Sequence, residues 1–394
     1  MAFGVYVHIP YCLQKCHYCD FITLDMDHAV SPAQYTSLLI EEIRNRSSAI
    51  KERRLSSLYF GGGTPSVLGV DAILAIRQEI ANNGFEFEND AEVTVEINPG
   101  TVTKHKLDQY LAAGVNRFSV GVQTFHSEQL KRTGRLHSVE DSRSLLAMLR
   151  DAKVNYSFDL LFGLPNQSPA DLERDLTELN QYNPPHVSLY NLTVPKQHEM
   201  NKNRAPDDVQ ADMFDQIESA LAANGLKRYE ISNFARPGFE SKHNYLYWTD
   251  QGYWGVGIGA HSYLPAVGDF GTRFWNPASV DVWAKQLYAT SGASAPDVAF
   301  YKVIPQRQVE PLKLHESLTD YCHTALRKTE GLSVELLTKK YGPATANLTL
   351  QRLLKLCSGG ALLKTTTGFS MTPTERPRAN AIFLELTFLA EELP

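Results

Sequence analysis

Nowhere in its 394 residues does the chain hold a run of about eighteen apolar residues, which excludes a membrane-spanning helix. An excess of one charge is missing too. The 38 Lys and Arg meet 44 Asp and Glu, and the net charge of −6 gives no electrostatic case for nucleic acid as the main partner. The first ten residues lack the basic head and small-residue cleavage site of a secretory signal and read instead as a strand, so a cytoplasmic protein is expected. No internal repeat or low-complexity tract breaks the pattern. Cysteine is scarce, with five in all. What remains is a chain with 43% hydrophobic residues, able to bury a sizeable core and long for one ordinary domain. One large domain and one smaller one are expected.

Three of the five cysteines, Cys12, Cys16 and Cys19, fall in Tyr-Cys-Leu-Gln-Lys-Cys-His-Tyr-Cys; only Cys322 and Cys357 follow. A CxxxCxxC loop can wrap thiolates around three corners of an iron–sulfur cube and leave the fourth iron open to a small molecule. One disulfide with a spare thiol, or three of four zinc ligands, are the alternatives. Neither explains the odd count or the missing fourth ligand nearby. Free thiols beside an oxygen-sensitive cluster also suit a reducing compartment.

Short apolar or β-branched runs alternate with helical patterns. Strands are expected over Phe3–Ile9, Ser57–Phe60, Glu92–Ile97, Arg117–Val122, Tyr156–Phe162, His186–Leu192 and Arg228–Ile231. Helices are expected over Pro32–Arg53, Val70–Asn82, Thr103–Ala113, Val139–Ala152, Pro169–Tyr182 and Asp207–Asn224. The alternation predicts βα units and a parallel sheet. Six or seven units do not fill an eight-stranded barrel, so the fold class is α/β, a partial, open parallel β/α barrel with its chemistry at the C-terminal strand ends. The core is assigned to 1–240, barrel completion and a connecting segment to 241–305, and a winged-helix-like α+β domain to 306–394. In that last part Leu312–Lys328, Ser333–Tyr341 and Ala344–Ser358 read as helices, Gly360–Met371 as a two-stranded ribbon and Ala379–Glu392 as a closing helix. Ten Lys or Arg against five Asp or Glu in 313–378 favour a packing or interaction domain over a DNA-binding one.

Four signatures sit where strands should end. Gly61-Gly-Gly-Thr-Pro follows Leu58-Tyr-Phe, and its glycines let a ligand approach the backbone; with no GKS/T following, a nucleotide P-loop is not supported. Glu96 ends Val-Thr-Val-Glu-Ile-Asn-Pro-Gly, and Gln123 closes Phe-Ser-Val-Gly-Val-Gln, with Arg135 downstream. Asp159 lies inside the apolar run Phe-Asp-Leu-Leu-Phe-Gly-Leu-Pro, where a charge is expensive unless paired or functional. Each alone is as compatible with a cap or a turn as with a ligand contact; four in succession point to one site.

With these motifs in order, and with Gly255-Val-Gly-Ile-Gly-Ala-His-Ser-Tyr, nearly the whole chain resembles the radical S-adenosylmethionine family, in the group around oxygen-independent coproporphyrinogen III dehydrogenase. The resemblance implies a partial barrel of the radical S-adenosylmethionine type, a 4Fe–4S cluster on Cys12, Cys16 and Cys19, and S-adenosylmethionine chelating the open iron. It implies that Tyr6 and Tyr18 flank the cofactor and that Gly62, Gly63 and Thr64 meet its amino group. Glu96, Gln123, Arg135 and Asp159 would contact its sulfonium, carboxylate or ribose, and Thr193 and His261 would make backbone contacts around its adenine. The chemistry implied is one-electron: the C5′–S bond breaks and a 5′-deoxyadenosyl radical takes a substrate hydrogen. It needs no acid–base triad.

Two departures bear on the dehydrogenase. That enzyme has a fourth cysteine two residues after the third, where this chain has Phe21, and a longer segment before the cluster than the eleven residues here. The group's haem-chaperone branch has Cys-Asp-Phe and a His-Asn-x-x-Tyr-Trp motif, which this chain carries as His243, Asn244, Tyr247 and Trp248. An exposed histidine beside aromatics can ligate haem iron and stack on a porphyrin; a core loop with satisfied polar groups is the other reading. His243 leads as axial ligand, ahead of Cys322, Cys357, His198, His315 and His323. The expectation is a haem chaperone that passes haem to an acceptor protein and uses the scaffold to gate its release to a respiratory target, with oxidative decarboxylation of coproporphyrinogen III as the alternative. An electron donor such as a flavodoxin and a homodimer are expected from related proteins.

Overall fold

The computed structural model describes residues 2–290 and 304–393. Six strands follow one another with helices between them: β1 (Phe3–Ile9), β2 (Arg54–Gly62), β3 (Glu86–Ile97), β4 (Arg117–Gln123), β5 (Asn155–Phe162) and β6 (His186–Asn191). The intervening helices are α1 (Pro32–Arg46), α2 (Val70–Asn82), α3 (Lys104–Ala112), α4 (Ser127–Arg132), α5 (Val139–Asp151) and α6 (Pro169–Asn180). Ser31, Ser138 and Ser168 start α1, α5 and α6 as capping boxes, the side chain of each taking an amide three residues on.

After α7 (Asp207–Ala223) come a short hairpin of β7 (Lys227–Arg228) and β8 (Asn233–Ala235), the helix α8 (Lys242–Trp248), and β9 (Gly252–Val256). The twelve-stranded sheet runs β6 through β1 and then β9 in parallel pairs. β8 and β7 extend one edge, and β10 (His261–Leu264), β11 (Thr272–Trp275) and β12 (Val309–Pro311) the other, all antiparallel. The two edges do not pair with each other among the described residues, so the barrel is open.

The strands alternate in an unusual sense. Val5, Val7 and Ile9, Leu58 and Phe60, Val93 and Val95, Phe118 and Val120, and Phe158 and Leu160 pack in one apolar core against the helices. Residues of the opposite register, including Tyr6, His8, Tyr59, Glu96, Ser119, Asp159 and Ser188, face a cavity inside the barrel. The outer layer supplies the core, and the inner face is left for chemistry.

A second core, from Leu318 to Phe388, belongs to the C-terminal part. Its helices are Leu314–Arg327 and Val334–Ser358, the latter broken at Gly342 (φ 77°) ahead of Pro343, so the two helices read from the sequence stand apart there. The ribbon of Leu362–Lys364 and Gly368–Met371 gains a third strand, Leu332–Ser333, giving the winged-helix shape.

Several boundaries differ from expectation, β2 and β3 beginning earlier than read, at Arg54 and Glu86, and three others have a local cause. α1 stops at Arg46 rather than Arg53, because Ile50 turns into the core and the chain must enter β2. Arg228–Ile231 is half of a hairpin, with Glu230 Oε1 accepting from the Ser232 amide at 3.0 Å in the turn. The closing helix ends at Glu385, since Leu386 and Phe388 are both buried, a two-residue spacing that extended backbone serves and a helix does not. Part of the connecting segment read from 241–305 lies outside the described residues.

Candidate functional site

The three-cysteine loop leaves the C-terminal end of β1 and crosses the open end of the barrel. It is tied down from the far side: the His17 amide donates to Thr133 O at 3.0 Å and Gln14 Nε2 to Gly134 O at 3.1 Å. All five cysteines stand as free thiols. Cys12, Cys16 and Cys19 line one wall of the same cavity. The Thr64 hydroxyl donates to Cys12 Sγ at 3.7 Å and Arg135 Nη1 to Cys16 Sγ at 3.6 Å. Burial pushes the Cys12 and Cys19 thiols up, and Thr64 counteracts it at Cys12. No three His, Cys, Asp or Glu side chains gather as ligands of a single ion among the described residues. A cube binds one thiolate at each of three irons, so its cysteines need to face one space rather than converge on a point. The donor set therefore fits an iron–sulfur cluster, with two sulfur-directed donors to tune it.

Below the loop, β2 runs out in its glycines. Gly62 has φ +118°, and a Cβ on Gly63 would stand 2.7 Å from Pro10 O and 2.8 Å from Tyr11 O, so this backbone must pass against the start of the cysteine loop. The Gly63 and Thr64 amides donate to Ile9 O and Tyr11 O, each at 2.8 Å. Glu96 Oε2 accepts from the Gly62 amide at 3.0 Å, and Oε1 from the Tyr59 hydroxyl at 2.8 Å. Burial raises the Glu96 carboxyl to about 7, with the Tyr59 hydrogen bond opposing and Asp159 adding to the rise. On β5 the Asp159 carboxyl is also pushed up by burial, against hydrogen bonds from Ser188 and Ser119. Gln123 has φ 68°, a left-handed turn at the end of β4 where the register with β5 shifts. Arg135 Nη2 donates to Asn98 Oδ1 at 2.6 Å, fastening its guanidinium beside Cys16.

The cavity these groups enclose measures about 860 Å³, within the range of sites that hold sizeable ligands. Its lining takes in Tyr6, Tyr18, Gly62, Gly63, Thr64, Glu96, Gln123, Arg135, Asp159 and His261. His261 sits at the rim, stacked on Trp275 at 6.0 Å. Thr193 is outside the lining, exposed, with its hydroxyl turned to Asn191 O.

The floor is α8. Glu92 on β3 caps it, Oε1 accepting from the Ser241 hydroxyl and the His243 amide at 3.2 Å each, and Oε2 from the Lys242 amide at 3.1 Å. His243, Asn244 and Tyr247 line the cavity, whereas Trp248 turns away, under the Arg327 guanidinium at 5.2 Å. His243 is not the exposed histidine expected from the sequence. It is 1% exposed, its Nδ1 bonded to Ser57 Oγ at 2.8 Å and its Nε2 to Tyr247 Oη at 2.9 Å. Burial, with Arg117 adding, pushes it down to about 3, so the ring is neutral. Cys322 is wholly buried in the second core, and His323 bonds Phe383 O there, so neither reaches the cavity.

Sequence reasoning passed over His8, Tyr59, Arg117, Ser119, Ser188 and Tyr190, all of which line the cavity. The available signal was period two: on β4, Arg117, Ser119, Gly121 and Gln123 share a register, as do Ser188 and Tyr190 on β6.

Residues 6–179 match the model of the Radical SAM superfamily. The fold superposes on coproporphyrinogen III oxidase (HemN) from Escherichia coli with a TM-score of 0.79 and 22% identity, over 98% of this chain and 90% of that one. An open β/α barrel whose strand ends face a three-cysteine loop is thus the scaffold of a radical S-adenosylmethionine protein. Sequence narrows the group further. The haem chaperone HemW of Bacillus subtilis is 32% identical over 389 residues, 96% of this chain and 98% of its own length. HemW of Escherichia coli K12 is 37% identical over 263 residues, 66% of this chain and 69% of its own. The chain belongs to the HemW family.

Proposed function

We propose that this chain binds haem and hands it to an acceptor protein, on a scaffold that carries a 4Fe–4S cluster and S-adenosylmethionine. The observation that carries the reading is that the three-cysteine loop and His243, Asn244 and Tyr247 of the His-Asn-x-x-Tyr-Trp helix line one cavity. Cys12, Cys16 and Cys19 would hold the cluster. Gly62, Gly63, Thr64, Glu96, Gln123, Arg135 and Asp159 would bind and orient S-adenosylmethionine, with Tyr6, Tyr18 and His261 beside it; Thr193 would have to reach it through its backbone. Bound there, the pair supplies one-electron chemistry at the C5′–S bond. The chain's own part is to hold that bond at the barrel mouth and to keep water away with the lid of the cysteine loop. Asn244 and Tyr247 would flank haem at the floor and His243 would offer it a neutral imidazole. A flavodoxin-like electron donor, a homodimer, a respiratory acceptor and a place in cytoplasmic porphyrin metabolism complete the proposal.

The alternative, coproporphyrinogen III decarboxylation, draws support from the complete set of cofactor-facing side chains; against it stands Phe21, 61% exposed where the dehydrogenase carries a cysteine. Anaerobic reconstitution of the cluster followed by titration with ferric haem separates the two. Saturable binding near one haem per chain, read in the Soret band, is expected. Absence of saturation would overturn the chaperone reading and make coproporphyrinogen III the next compound to test.

A further inference from the structure

We infer that His243 is a latched ligand: Ser57 holds its Nδ1, and the Tyr247 hydroxyl occupies its Nε2, so that iron ligation and the Tyr247 hydrogen bond exclude one another. The inference rests on the proposed haem reading and deepens it. Nδ1 meets Ser57 Oγ at 2.8 Å and Nε2 meets Tyr247 Oη at 2.9 Å. We assign the Nδ1–H as donor to Ser57, which leaves the Nε2 lone pair accepting from Tyr247. A neutral imidazole with one nitrogen so anchored presents the other in a fixed direction, the arrangement in which a hydrogen-bonded partner orients a metal-ligating histidine.

The surroundings fix the backbone of this helix while leaving the Tyr247 hydrogen bond as the part that must break. Glu92 holds the first turn of α8 by three hydrogen bonds. Gly4 lets the helix close on β1 and β2: a Cβ there would stand 2.4 Å from both Leu246 Cδ1 and Ser57 Oγ, and 3.1 Å from His243 Nδ1. The imidazole lies on the Tyr59 ring at 5.1 Å and 23°. The Tyr247 and Tyr253 rings meet at 4.7 Å in a T-shaped contact, which the Tyr247 ring must leave for its hydroxyl to clear Nε2.

The two partners of the imidazole therefore have opposite effects on haem. Ser57 supports the ligating orientation, and Tyr247 competes with the iron for Nε2. Ser57→Ala is expected to weaken ferric haem binding by about ten-fold or more, as loss of a ligand-orienting hydrogen bond does. Tyr247→Phe, which keeps the ring and deletes the competing hydroxyl, is expected to tighten it by about five-fold, the value of one net hydrogen bond. A purely structural role would move both variants the same way.

The experiment titrates ferric haem into the cluster-reconstituted full chain and into Ser57→Ala, Tyr247→Phe and His243→Ala, following Soret difference spectra. Cluster absorption in each protein reports that it has folded. Opposite shifts in affinity for the first two, with loss of binding in His243→Ala, support the latch. If His243→Ala loses haem while the other two match the parent or shift together, the latch falls and the haem reading stands. If His243→Ala binds haem as the parent does, the ligand assignment falls and the latch with it.

Discussion

Replacing Glu92 by Ala tests whether the barrel floor is held electrostatically. Glu92 takes three donors from the first turn of α8, and its Oε2 lies 3.7 Å from Arg117 Nε. Arg117 is 2% exposed. Removing the carboxylate leaves this cation without its nearest counter-charge and orphans two amides and a hydroxyl. Breaking a buried pair from one side costs about 3–5 kcal/mol. Asp159 remains as a second anion near Arg117, which puts the expected loss at the low end, about 3 kcal/mol. Against a typical unfolding free energy of about 5–15 kcal/mol that is a large fraction. Urea unfolding of the apo-protein, followed by tryptophan fluorescence with the transition slope checked for constancy, measures it. Arg117→Met is the contrasting variant. It leaves Glu92 with its three donors and should cost less, about 1 kcal/mol. A Glu92→Ala protein within about 0.5 kcal/mol of the parent, or an Arg117→Met protein the less stable of the two, would refute the argument.

Other expectations concern the mouth of the cavity. Ala at Cys12, Cys16 or Cys19 should each abolish the visible absorption of a reconstituted cluster; a retained 4Fe–4S spectrum in all three would sink the ligand assignment. Gly63→Ala drives a Cβ into Pro10 O and Tyr11 O, backbone atoms that cannot step aside. It should cost about 1–3 kcal/mol of stability and lose S-adenosylmethionine in equilibrium dialysis, and normal binding would count against the glycine loop. The Glu96 carboxyl, ordinarily at 4.5, sits at about 7 in the fold. Between those values the folded chain keeps a proton that the unfolded chain has released. Apo-protein stability should therefore fall as pH rises from about 4.5 to about 7, by up to about 3 kcal/mol, and level off above. Glu96→Gln should flatten that slope, and parallel pH curves for the two proteins would remove Glu96 as its source.

Much of this was legible in the chain because local chemistry wrote it. Gly62–Thr64, Glu96, Gln123 and Asp159 interrupt apolar runs on four neighbouring strands, and the structure brings all of them to one cavity. The outer faces of β1–β5 are apolar enough to fix the parallel sheet, and their inner faces carried a second, fainter message in Arg117, Ser119 and Ser188. The environment of His243 was not legible. Spacing puts His243 and Tyr247 on one helix face, but the groups that bury them come from far along the chain. Ser57 is 186 residues away and the capping Glu92 is 151 away from the His243 amide it holds. Nothing in a local pattern says that a carboxylate from β3 will meet the start of a helix so distant.

That helix is also one of the places where the C-terminal domain packs on the barrel. At seven residues α8 is too short to persist by its own hydrogen bonds, so its position is the sum of what touches it. One face gives His243 and Tyr247 to the cavity. The other gives the Tyr245 hydroxyl to Glu330 Oε1 at 3.2 Å and the Trp248 ring to Arg327. Beside it the Thr329 amide donates to Tyr229 O at 2.9 Å, and Lys340 Nζ pairs with Asp250 at 2.6 Å just past the helix end. The winged-helix-like domain therefore braces the floor of the cavity from outside while Glu92 and Gly4 set it from within. A displacement of that domain would reach the His243–Tyr247 hydrogen bond through α8, because the two residues on which the haem reading depends stand on a helix that touches both domains.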